Sequence, residues 1–352
     1  MIRNQIMIIT YEILSGGSEL NALKITKYIQ NNYFWISLGS KRSTKEFKNK
    51  KIKKFYFLNF NILKLLLSIK KIKDIIKKKN ISTIYAIGLY PGFIASLVKI
   101  FCRVKIITTK RNEMSFFSRI KYFPALLFMN SMSDIIETNS LSIFNKFKNN
   151  KFLKKKVVFT NNIIEKKIYN GHKSSLFDKK TTKKIKIIGM ALNIRPVKDP
   201  LLIKKIIDIT LKEKLFKFLV VGRDKDKFWK KIVKKHKNKI YWKNSLPPKQ
   251  MINFYNTIDI LLITSKSEGS PNIIPEAFAN KVPVATVPIA AIEGIVINKL
   301  NGSISKNRNP EEVVKSIIYI KDNLKRLKKN SKIFFDKKFV FKKTIKRISN
   351  YL

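Results

Sequence analysis

Short apolar runs alternate along the chain with longer, lysine-studded stretches of helical character. In the first half the runs are QIMIITYEI, KKFYFLNF, ISTIYAIG, RVKIITTK, SDIIETN and KKVVFTNN. A brief apolar run bounded by turn residues reads as a strand, and strands separated by helical crossovers predict a parallel sheet covered on both faces. Between Asn162 and Thr182 the alternation lapses into polar residues around Gly171 and His172, which marks a linker. It restarts with KIKIIGMA, KFLVVGRD, NKIYWK, DILLITS, VPVATV and GSIS, so a second doubly wound domain is expected. From Asn309 the sequence reads as one helix to about Asn330 and another from about Phe339. The expected division is 1–170, 182–335, and a terminal segment 336–352 that packs back on the first domain. No internal repeat of about 20–50 residues occurs, which excludes a solenoid.

The length of 352 residues and an apolar content of 45% suffice for two cores. The single Cys102 cannot pair within the chain; it reads as a structural thiol in a reducing compartment. The apolar run in MIRNQIMIITYEI is too brief for a signal sequence and reads as a first strand. The longest uncharged stretch, Asn80 to Val98, holds Pro91 and two glycines and makes a poor membrane span. These features predict a cytoplasmic protein, soluble or peripheral on the inner face of the plasma membrane.

The formal net charge of +53 first suggests nucleic acid. Its distribution argues otherwise: lysine far outnumbers arginine and is dispersed, whereas base readers place arginine forks or aromatic platforms at one site. Solvated lysine faces, or attraction to an anionic membrane, account for the charge, and no nucleic-acid partner is expected. The basic amphipathic stretch Leu63 to Lys79 suits such a surface, although an ordinary solvated helix is the simpler reading.

The chemistry concentrates in SKSEGSPNIIPEAFANKVP, Ser265 to Pro283, which follows the apolar run Ile260 to Ile263. A loop at the carboxyl end of a parallel strand is where open α/β sheets bind ligands, and the start of the next helix offers free N–H groups to an anion. Glu268 and Glu276, eight positions apart, supply the acceptors that sugar hydroxyls require. With Asp259 and Ser265 ahead of them and Ala277, Pro283, Val284, Glu293 and Gly302 behind, they resemble the E-x7-E signature of the family 4 retaining glycosyltransferases. That resemblance implies the GT-B fold, two Rossmann-like domains with a cleft between them. It also implies that Glu276 binds the ribose of a nucleotide sugar, that Glu268 contacts the transferred sugar, and that backbone groups of Gly269, Ser270, Pro271 and Asn272 touch the donor. Pro275 departs from the family's aliphatic residue and could shift the helix start.

IGMALNIRPVKD, Ile188 to Asp199, is similar to the family's diphosphate-binding loop, which implies that Lys198, assisted by Arg195, neutralises the leaving group; Asn193 stands where the family has an arginine. Gly16 and Gly17, with Ser18 and Glu19, resemble a glycine turn that approaches the donor phosphate. Arg111 and Asn112 resemble an acceptor-side element; Asn139, Ser140, Asn161 and Asn162 match further turns in the family's order.

Other signals weigh less. Asp224 and Asp226 form a D-x-D that reads as a solvated loop, and His172 and His236 lack metal-ligand spacing. No G-x-S-x-G and no P-loop is present. The resemblance implies retaining transfer with no metal or other cofactor, from a nucleotide-sugar donor such as a UDP-sugar, to a glycan or lipid-linked glycan in surface polysaccharide or lipopolysaccharide assembly. The competing readings are a nucleotide-sugar epimerase, a basic nucleic-acid binder and a catalytically silent homologue.

Overall fold

The computed structural model describes residues 4–12, 17–39, 50–111, 120–165, 185–224, 226–247 and 250–352. The chain divides into two compact units: residues 1–163 with 342–352, and residues 164–341.

In the first unit the described strands are β1 (Gln5–Thr10), β2 (Asn32–Ser37), β3 (Ile52–Phe57), β4 (Thr83–Ile87), β5 (Lys105–Lys110), β6 (Ile135–Thr138) and β7 (Val157–Phe159). They form one parallel sheet in the order β3-β2-β1-β4-β5-β6-β7. Its described helices are α1 (Gly17–Tyr28), α2 (Leu65–Lys79), α3 (Leu89–Phe101), α4 (Phe123–Met132) and α5 (Leu141–Lys148).

The second unit has β8 (Lys186–Ala191), β9 (Phe216–Val221), β10 (Ile240–Lys243), β11 (Ile260–Ile263), β12 (Val284–Thr286) and β13 (Gly302–Ile304), in the order β10-β9-β8-β11-β12-β13. Its described helices are α6 (Pro200–Thr210), α7 (Phe228–Lys235), α8 (Met251–Thr257), α9 (Ile273–Ala279), α10 (Pro310–Asp322) and α11 (Leu324–Lys338). A final helix, α12 (Phe341–Ser349), leads residues 342–352 back to the first unit.

Counted within each unit, the strands run 3-2-1-4-5-6, with one more at the edge of the first sheet. In such a sheet the first and fourth strands are neighbours whose connections leave on opposite faces, so the loops at their carboxyl ends part and open a crevice. In the second unit that point lies between β8 and β11. Alternate residues of its strands enter two cores: Ile188, Phe218, Val220 and Leu262 pack with α6, α7 and α10, while Leu219, Leu261 and Ile263 pack with α8, α9 and α11. Each large side chain so buried contributes about 1.5–3 kcal/mol, which is why these strands read as nearly continuous apolar runs.

Three expectations are corrected. The strand β2 is absent from the runs picked out by pattern, because neither glycine nor proline separates the end of α1 from NYFWIS. The single helix expected from Asn309 to about Asn330 is two, α10 and α11, broken at Asn323, which leaves the helical region at φ −108° and ψ 19°. The expected 335/336 boundary falls inside α11.

Candidate functional site

The loop after β8 and the loop after β11 are laced together at the crevice of the second unit. A short 3-10 turn, Pro196–Lys198, follows β8 and ends at Asp199, whose left-handed backbone (φ 58°) caps α6. From that turn Lys198 Nζ donates to Glu268 Oε1. Ser265 Oγ donates to the same oxygen at 2.6 Å. The backbones join as well: Lys266 N donates to Val197 O at 2.7 Å, and Thr264 Oγ1 to Lys198 O at 2.9 Å. Both partners of the ion pair are about one-fifth exposed, so it sits at a wet rim where charge is only partly screened.

Arg308, which the sequence pattern does not single out, staples this junction. Its guanidinium donates to Ser265 O at 3.0 Å, to Thr264 O at 2.8 Å and to Asp199 Oδ2 at 2.7 Å, so one planar fork spans both loops. An arginine in the polar run KNRNP carries no local signal of this role.

Glu276 lies in the first turn of α9 and accepts from Tyr255 OH at 2.7 Å. Pro275 is buried in the first turn, where its missing N–H leaves no bond unmade, and Glu276 N bonds Asn272 O at 3.1 Å. Gly269, Ser270, Pro271 and Asn272 form the half-buried turn between β11 and α9. The fold thus brings Glu268 to Lys198, whereas Glu276 has a different partner on α8. Arg195 is exposed at the start of the 3-10 turn. Asn193 is tied to the end of β9, its Oδ1 accepting from Arg223 N at 2.8 Å. Gly222, beside it at φ 149°, has no room for a side chain: a Cβ there would lie 1.8 Å from Leu192 O.

In the first unit Gly17 opens α1, while Gly16 and Asn112 lie outside the described residues, as does His172. Arg111 is buried at 8% exposure. Its guanidinium donates to Glu137 Oε1 at 2.9 Å, Tyr85 OH at 2.8 Å and Asn162 Oδ1 at 3.0 Å. Asn139 Nδ2 also donates to Asn162 Oδ1, at 2.9 Å, and Thr160 Oγ1 to Glu137 Oε1, at 2.9 Å. Tyr85 OH donates to the other carboxylate oxygen of Glu137. Burial alone would lower the Arg111 pKa, yet the Glu137 charge holds it above its ordinary value. Burial, then Glu137, pushes the Tyr85 phenol well upward. Arg111, Tyr85 and Thr160 therefore converge on Glu137, a residue not among the sequence candidates, while Asn139 and Asn162 join the network through the Arg111 guanidinium; a carboxylate inside SDIIETN is the signal, because a charge in a buried strand requires partners. Ser140 caps α5. Burial raises the Glu19 carboxyl pKa against its own backbone hydrogen bond and the Arg111 charge.

Next to Arg111, burial lowers the Lys110 ammonium pKa to about 8 from the usual 10.5. The folded value lies below the unfolded one, so the charged form opposes folding at neutral pH, and that penalty fades as pH rises from 8 to 10.5. Lys110→Met is accordingly expected to melt above the parent at pH 7 and to lose that advantage through this window, read as Tm against pH.

Asp224 serves α7, accepting from Trp229 N at 2.9 Å and Lys230 N at 3.3 Å. His236 pairs with Asp208 at 2.7 Å. Among the described residues no group of three or more His, Cys, Asp and Glu side chains is arranged to hold a metal.

Residues 172–334 match the model of the family described as glycosyl transferases group 1. No curated protein sequence is similar enough to match the chain. Among solved structures, a glycosyltransferase from Rickettsia africae is 22% identical, with a TM-score of 0.82 over 99% of this chain and 98% of that one. HepE from Anabaena, solved in complex with UDP-glucose, is 15% identical with a TM-score of 0.81 over 98% of both chains. The lipopolysaccharide outer core galactosyltransferase WaaB is 14% identical with a TM-score of 0.75 over 99% and 98%. The chain thus has the GT-B fold, two parallel-sheet Rossmann-like units, and its residues 172–334 carry the sequence pattern of the group 1 glycosyl transferases.

Proposed function

We propose that the chain is a retaining glycosyltransferase that moves a sugar from a nucleotide-sugar donor to a glycan or lipid-linked glycan. The observation that carries this reading is the Lys198–Glu268 pair, held with Ser265 where the loops after β8 and β11 meet, inside the stretch that matches the family. Lys198 offers a cation to the diphosphate and Glu268 an acceptor to the sugar's hydroxyls. As the diphosphate departs, negative charge builds on its bridging oxygen, and Lys198, with Arg195 on the same turn, stabilises it. The sugar gains oxocarbenium character and the acceptor hydroxyl attacks from the face the nucleotide leaves, its proton passing to the departing diphosphate oxygen. No step in this scheme needs a metal. UDP as the nucleotide is supported by HepE, solved with UDP-glucose. A glycan acceptor, such as one in lipopolysaccharide assembly, is supported by WaaB.

Glu276 is assigned to the ribose hydroxyls, with Tyr255 holding its carboxylate. A hydrogen bond to a charged group is worth about 1.5–3 kcal/mol, so Glu276→Ala is expected to weaken binding of a UDP-sugar by roughly 10–100-fold, measured by calorimetry. Unchanged affinity would reject the ribose assignment. Incubation of the parent protein with UDP-sugars, with and without acceptor, separates transfer from epimerisation, and proton NMR of the first product reads its anomeric configuration.

A further inference from the structure

We infer that the α2–α3–α4 face of the first unit docks flat on an anionic lipid bilayer. The three helices lie side by side on one face of the sheet. Ile72 and Ile76 of α2 share a core with Ile94 and Val98 of α3. A Cβ on Gly92 of α3 would lie 2.4 Å from Met129 of α4 and 3.4 Å from Thr108 of β5, so α3 and α4 close on the same strand. With their inner faces so occupied, the outer faces should be polar.

They are not. Leu63, in the 3-10 turn just before α2, and Leu66, in its first turn, are 90% and 79% exposed; Phe101, at the end of α3, is 58% exposed, and Phe123 and Leu127 of α4 are 61% and 60% exposed. A lone exposed leucine needs no explanation, whereas a set carried on three adjacent helices marks an interaction surface. Among the described residues no helix is long and apolar enough to cross a membrane, so these side chains suit the interfacial layer.

Charge chooses the occupant. Beyond its leucines, the outer face of α2 continues through exposed Lys70, Lys71, Lys77 and Lys78, with Asp74 alone of opposite sign. Lys73 lies 5.7 Å from the Phe101 ring, which joins the basic row to the apolar one. A second copy of a chain with net charge +53 would bring two basic faces together. A bilayer rich in anionic headgroups complements the lysines while its acyl boundary accepts the leucines and phenylalanines. This inference goes beyond the proposed transfer reaction and does not depend on it.

The test is co-sedimentation of the full chain with vesicles of phosphatidylcholine alone and of phosphatidylcholine mixed with phosphatidylglycerol. The parent protein is expected to bind the mixed vesicles. Leu66→Glu/Leu67→Glu is expected to weaken that binding by about tenfold or more, while Lys230→Gln/Lys231→Gln, the same charge change on exposed residues of α7, leaves it close to the parent. Equal losses in both variants would reduce the effect to bulk charge and overturn the inference. So would a parent protein that ignores the mixed vesicles, or a lipid-free dimer that the leucine variant dissociates. Should the double glutamate variant fail to fold, Leu66→Trp provides an independent measurement: blue-shifted emission on adding mixed vesicles supports insertion, and an unmoved spectrum rejects it.

Discussion

Replacing Lys198 by methionine is expected to lower kcat for sugar transfer by about 10²–10³, the cost of removing one preorganised stabiliser of developing negative charge, and to leave the melting temperature near that of the parent. The ammonium belongs to a 3-10 turn that is fixed by its own hydrogen bonds and by Lys266 and Thr264, so the side chain can go without the loop moving. Glu268 loses a partner but keeps Ser265 and its contact with solvent. A partly exposed ion pair is worth about 0–1 kcal/mol, which bounds the stability cost. Charge on the leaving diphosphate grows between ground state and transition state, so the loss belongs in kcat more than in KM. Steady-state kinetics beside a melting curve check both halves. A variant with the parent's kcat would remove Lys198 from the chemistry and leave the pair a structural clasp.

Glu137→Leu is expected to destabilise the first unit by about 3–5 kcal/mol, the usual cost of stripping one partner from a buried ion pair. The guanidinium of Arg111 would remain buried with Tyr85 and Asn162 but no hydrogen-bonded counter-charge. Arg111→Met/Glu137→Leu is expected to recover most of that loss, because the expense lies in the orphaned charge rather than in the missing bond. Urea unfolding followed at Trp35, the only tryptophan in residues 1–163 and 342–352, reports on this unit while Trp229 and Trp242 report on the other. Single and double variants of equal stability would show that the two charges do not hold each other.

These two sites differ in how far the chain announces them. The strands of both sheets, β2 apart, stand out because parallel strands covered on both faces must be apolar throughout, and Glu268, Lys198 and Glu276 occur in a spaced pattern that a family resemblance makes readable. Arg308 stands apart from that pattern: its partners are two backbone carbonyls and Asp199, contacts set by the folded loops and invisible in a run of polar residues. Arg111 is legible as an unusual residue but not in its direction, since only packing shows that it turns inward to Glu137. The break at Asn323 leaves only a weak mark in the sequence, a single asparagine with no proline or glycine to signal the stop.

The return of residues 342–352 to the first unit has a consequence for biosynthesis. Tyr351 and Leu352 are buried there, Lys105 Nζ donates to Tyr351 O at 2.7 Å, and an arginine of α12, Arg347, donates to Phe159 O at 3.1 Å. A ribosome that has released the first 163 residues has therefore made a lobe that still lacks a wall, and the middle of the chain can finish its own core before the beginning can close. The amino-terminal lobe therefore gains these last contacts only after everything between has been translated.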